Sequence, residues 1–80
     1  MSEARDYYVS MVRDSRYALM AGPFATHAEA LQMVDPVKKE AIRHDPFCDF
    51  DAFGTCSMLR RSTNKDGWLN VWIGAKTRAA

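Results

Sequence analysis

The sequence predicts an α+β domain: a four-stranded antiparallel sheet in chain order ββαββ, with one long helix, Pro-kinked at most, packed on one face. Two observations carry this. Segments 7–13 (YYVSMVR) and 68–73 (WLNVWI) alternate at period two, the spacing of a strand with one covered face. Between them Thr26 stands three residues before Glu29, the capping box that opens a helix.

In chain order, Tyr7, Val9 and Met11 fall on one side of the first strand, and Tyr8, Ser10 and Val12 on the other. Asp14-Ser15 is a turn signal, and 16–21 (RYALMA) returns as the hairpin partner until Gly22-Pro23 stops it. After Thr26, the residues Ala30, Val34, Val37 and Ala41 recur at helical spacing. Pro36 interrupts. Either Asp35 caps a second helix with Pro36 at its first position, or one helix runs from 26 to 44 and kinks. The apolar stripe keeps its phase across Pro36, which favours the kinked helix. Phe47, Phe50 and Phe53 in the next loop are expected to fold back over the helix end or the sheet edge. Residues 54–60 (GTCSMLR) read as the third strand. STNKDG is a turn, with Gly67 closing a bulged hairpin into the fourth strand at 68–73. Sheet orders 2-1-3-4 and 1-2-4-3 both keep every neighbour antiparallel.

Eighty residues make one domain, 1–80, with fraying expected at 1–5 and 75–80. The chain is 48% hydrophobic and 26% charged with a net charge of +1. That composition excludes a disordered chain and a nucleic-acid protein driven by phosphate contacts alone. The N-terminus has no apolar run, and nothing approaches the ~20 apolar residues of a membrane span. A cytoplasmic location is expected, with Cys48 and Cys56 reduced.

The chemistry-bearing residues form no standard motif. Cys48, Cys56, His27 and His44 match no zinc spacing. Cys48 with His44 could form a nucleophile pair, but a free thiol in a Phe-rich loop is the plainer reading. Asp45, Asp49 and Asp51 lack the closing Glu of a calcium loop. There is no GxGxxG and no GK[ST]. No catalytic residue, metal or cofactor is expected, and an enzyme is not.

The informative feature is the sheet face away from the helix. The helix stripe would meet Val9, Met11, Leu69, Val71 and Ile73, with Cys56 and Met58 as fillers. The other face would show Tyr8, Ser10, Thr55, Ser57, Trp68, Asn70 and Trp72. Large aromatics on an open face mark a contact surface. Tyr8, Trp68, Asn70 and Trp72 are therefore the expected partner-binding residues, and the expected partner is a protein or a second copy in a homodimer. Arg13, Arg16, Arg60 and Arg61 at the hairpin ends could rim that face. The second reading is accordingly a single-stranded nucleic-acid binder with bases stacked on the aromatics.

Residues 19–34, LMAGPFATHAEALQMV, resemble the strand-to-helix turn of bacterial SPOR domains, where an apolar strand runs into G-x-F, a polar cap and a helix with A-x-x-L. The resemblance implies that turn geometry alone, because the second strand–helix unit of the family has no counterpart here. The whole-chain pattern, YYVSMVRDSRYALMAGPFATHAEALQMVD followed by DAFGTCSM, looks like small accessory proteins of proteobacterial phages and integrated elements. That resemblance implies a protein that docks onto host machinery, with anti-CRISPR and other anti-defence inhibitors as one class.

Overall fold

In the computed structural model, which describes residues 4–74 and 77, the alternating N-terminal segment forms a hairpin. Its strands are β1, Arg5–Arg13, and β2, Arg16–Phe24. Asp14 at the turn takes a φ of 54°, a left-handed conformation that aspartate tolerates. The strand does not stop at Gly22-Pro23. It continues to Phe24 because two irregularities in the β1–β2 register, between Tyr7 and Val9 and between Val9 and Ser10, absorb extra residues of β2. At Gly22 the φ is 127°, and a Cβ would lie 2.7 Å from the Tyr8 ring and 2.8 Å from the Tyr7 carbonyl oxygen. Only glycine fits there.

The helical stretch is two helices, α1 (His27–Gln32) and α2 (Val34–His44), broken at Met33. The single kinked helix is corrected on this point. Pro36 has no N–H, and its ring would strike the carbonyl four residues back, that of Gln32. The first helix therefore ends at Gln32, and Pro36 sits in the first turn of the second, where an N–H needs no helical partner. The Thr26 hydroxyl accepts from the Glu29 N–H at 3.2 Å, the N-cap half of the expected capping box. A 3-10 turn, Pro46–Phe50, follows and leads into β3, Ala52–Leu59.

β3 pairs antiparallel with β1 in unbroken register from Arg5–Leu59 to Val12–Ala52, which gives the order β2-β1-β3. The sheet has three strands, not four. Segment 68–73 pairs only briefly: Gly67, Trp68 and Leu69 donate their N–H groups to the carbonyls of Gly22, Leu19 and Met20 on the outer edge of β2. The chain then coils into a short helix, α3, Asn70–Ile73. The apolar pattern suits both forms. Residues i and i+4 share a side of a strand and also a face of a helix. A Cβ on Gly67 would come within 2.3 Å of the Ala21 Cα, so only glycine lets this segment lie so close to β2.

Helices α1 and α2 cover one face of the sheet. Val9, Ala21, Phe24, Ala30, Val37, Ala41 and Leu69 are buried there, with Met20 and Cys48. Of the expected core, Val9 and Leu69 hold, and Met11 and Ile73 pack at its margin. Val71 is 91% exposed instead, because a helix turns it opposite to Leu69. Cys56 and Met58 pair with Tyr8 and Asp6, which places them on the far face.

That far face is not bare. Segment 60–67 crosses its upper half, and Tyr8 beneath it is wholly buried, its hydroxyl donating to the Lys65 carbonyl at 2.7 Å. Asp6, also wholly buried, accepts from Arg60 Nε at 3.1 Å and Asn64 Nδ2 at 2.7 Å. A buried carboxylate needs such donors. Of the fraying expected at 1–5 and 75–80, residues 1–3, 75, 76 and 78–80 lie outside the described residues, while Arg5 opens β1. Among the described residues, no helix is long and apolar enough to cross a membrane.

Candidate binding surface

Trp68 and Trp72 stay at the surface, 64% and 63% exposed, but not on a sheet face. Trp72 lies within α3, and Trp68 stands just before the Leu69 cap that opens it. His44, the last residue of α2, meets them: its ring lies 4.7 Å from that of Trp72 and 5.9 Å from that of Trp68, edge to face in both cases. Such pairs are favoured by the ring quadrupole. His44 Nε2 also faces Glu40 Oε2 at 3.0 Å. The helix end and the C-terminal segment thus hold the indoles from below.

The other two expected contact residues serve the fold. Tyr8 is sealed under segment 60–67. Asn70 turns inward, accepting the Gly22 N–H at 2.9 Å on Oδ1 and donating from Nδ2 to the Gly22 carbonyl. Its amide takes the place a backbone peptide would have in a fourth strand, and so ends the pairing there. The expected contact set therefore reduces to the two tryptophans.

Beside them a cleft of about 570 Å³ opens between the edge of β2 and the C-terminal end of α2. Met11, Ala18, Met20, Ala41 and Cys48 make an apolar floor, Trp68 forms a wall, and His44, Asp45, Arg13 and Asp66 stand at its mouth. Sequence periodicity gives no sign of this cleft. It arises because residues from β1, β2, α2 and the 3-10 turn meet there, and only pairing register brings them together.

The expected basic rim is partly neutralised. The Arg13 guanidinium bonds Asp51 through Nε at 2.9 Å and Nη2 at 2.7 Å, and reaches Asp45 at 3.4 Å. These bonds push the Arg13 pKa further up and hold the Asp51 carboxyl below its usual range. Arg60 is committed to Asp6. Arg16 and Arg61 are exposed but belong to separate ends of the chain's turns. Among the described residues, no continuous cationic track follows the tryptophans.

Cys48 is buried, and its thiol points to Met11 Sδ at 3.8 Å. Burial first, then the charges of Asp45 and Asp51, push its pKa up, which disfavours the thiolate a nucleophile needs. His27 Nε2 lies 3.0 Å from Thr55 Oγ1. Among the described residues no group of three or more His, Cys, Asp or Glu side chains could hold a metal ion. Phe47 and Phe50 do not fold back as expected: they are 71% and 84% exposed, their rings 6.4 Å apart, because Cys48 is the one residue of that 3-10 turn to enter the core. Phe53 is half-buried. In comparison with known proteins, the chain matches no protein-family model, no curated protein and no solved structure.

Proposed function

We propose that this chain is a small non-enzymatic binding module that acts by protein–protein contact through Trp68 and Trp72, with the neighbouring cleft receiving an apolar side chain of the partner. One observation carries the reading. Two indoles are held out to solvent on a segment that is itself fixed, by backbone bonds to β2 and by the buried Leu69. Rigid exposed tryptophans lose little entropy on binding and are typical anchors of interfaces. The raised thiol pKa of Cys48 and its contact with Met11 speak against thiol chemistry in the cleft. Through the whole-chain resemblance alone, the reading extends to an accessory protein of a mobile element in the cytoplasm, an anti-CRISPR or other anti-defence inhibitor occupying host machinery.

Site-specific photocrosslinking tests it. With p-benzoyl-phenylalanine in place of Trp72, the expected product is a discrete protein adduct. The adduct should be missing when the probe replaces exposed Glu29, and should vanish when Trp68→Ala is added. Adducts to nucleic acid, or one adduct pattern from both probe positions, would overturn the proposal.

A further inference from the structure

The two edges of the sheet differ. The β2 edge is closed by Gly67–Leu69 and by the Asn70 amide. The β3 edge has no backbone partner strand among the described residues. Its outward groups can be identified. Arg60 N–H donates to the Ala4 carbonyl, so even-numbered residues of β3 point their peptide groups at β1, and Phe53, Thr55, Ser57 and Leu59 point theirs outward. Sheet proteins normally blunt such an edge with charge, proline or a bulge. β3, AFGTCSML, has no charged residue and no proline, and its register with β1 is unbroken over its whole length.

We infer that β3 pairs with β3 of a second copy of this chain, antiparallel about a two-fold axis at Cys56, to make a continuous six-stranded sheet. The side chains choose this register. It sets Phe53 against Leu59 of the partner, apolar against apolar, and Thr55 against Ser57, a pair favoured across strands. On the far face it sets Met58 over Gly54, where the structure has open space: a Cβ on Gly54 would meet nothing within 4 Å. The Leu59 carbonyl is already taken by Asn64 Nδ2, so the remaining outward groups form about six backbone hydrogen bonds across the axis. This surface is separate from the tryptophans and does not depend on them. An isologous contact of this kind closes at two copies.

Light scattering on the full chain, from micromolar to millimolar protein, should show the mass double. Diamide, which accepts the two protons and two electrons released by a pair of thiols, should then link the dimer through Cys56. Cys56→Ser should abolish that link and Cys48→Ser should not, because residues opposed at a non-hydrogen-bonded site have Cα atoms about 4.5 Å apart, within disulfide reach. Ser57→Pro deletes one outward N–H without touching the β1 ladder and should leave a monomer at every concentration, with its fold checked by circular dichroism. Gly54→Lys, placed in open space, gives the same test should the proline variant fail to fold. A monomer at millimolar concentration overturns the inference. So does a link through Cys48, or a dimer that survives Ser57→Pro and Gly54→Lys but is lost in Trp72→Ala.

Discussion

Arg13 and Asp51 join the end of β1 to the start of β3, and their chemistry fixes how this joint responds to acid. Because Arg13 holds the Asp51 carboxyl below its usual range, the folded chain keeps it ionised at a pH where the unfolded chain, near an ordinary value of about 3.9, binds a proton. Protons bound in excess by the unfolded state mean that stability falls as pH falls. The contribution of Asp51 is thus complete above about pH 5, and is lost as pH drops through the depressed native value. Urea midpoints of the wild type and Asp51→Asn should differ most near neutrality and converge toward pH 2. An unchanging difference across that range would show that the ion pair is not the source. Arg13 stays charged throughout and adds no pH dependence of its own.

Among the elements, those set by local chemistry were legible in the sequence: the β1–β2 hairpin, the Thr26 cap and the third strand follow from period two, a side-chain cap and turn residues. What escaped depends on distant partners. Nothing local says that Asn70 will turn inward, since its two bonds go to Gly22, far away in sequence and close only after the β2 register has formed. Tyr8 escaped for a like reason, because segment 60–67 covers it only when Asp6 collects Arg60 and Asn64. Trp68 and Trp72 were found as exposed aromatics by a pattern that does not separate strand from helix. The Asn70 amide is the device that turns strand pairing into helix. Asn70→Ala leaves the Gly22 N–H without its partner, while the Gly22 carbonyl keeps the Gly67 N–H, an expected loss of about 1–3 kcal/mol. Chemical denaturation followed by tryptophan fluorescence reads both the loss and any early release of α3, seen as an indole transition ahead of the far-ultraviolet circular dichroism transition. A loss within about 0.5 kcal/mol, the range of an ordinary surface change, would remove Asn70 from this role.

For the molecule as a whole, the C-terminal segment performs three tasks together: it closes the β2 edge, completes the core with Leu69 and presents the indoles. An 80-residue chain buries a modest share of its surface, so one core side chain donated by such a segment counts for much of a total stability of about 5–15 kcal/mol. This separates the helical arrangement from the strand it replaces. In a strand, Leu69, Val71 and Ile73 would share the buried face, and truncating each to alanine would cost a comparable amount. In the helix, Leu69 is wholly buried, Ile73 is partly covered and Val71 is almost fully in water. Leu69→Ala should therefore cost about 2–5 kcal/mol, Ile73→Ala less, and Val71→Ala about 0.5 kcal/mol at most. Urea unfolding of the three variants measures the series. A Val71→Ala loss equal to that of Leu69→Ala would restore the fourth strand, and would move Trp68 and Trp72 from the end of α2 back onto the sheet.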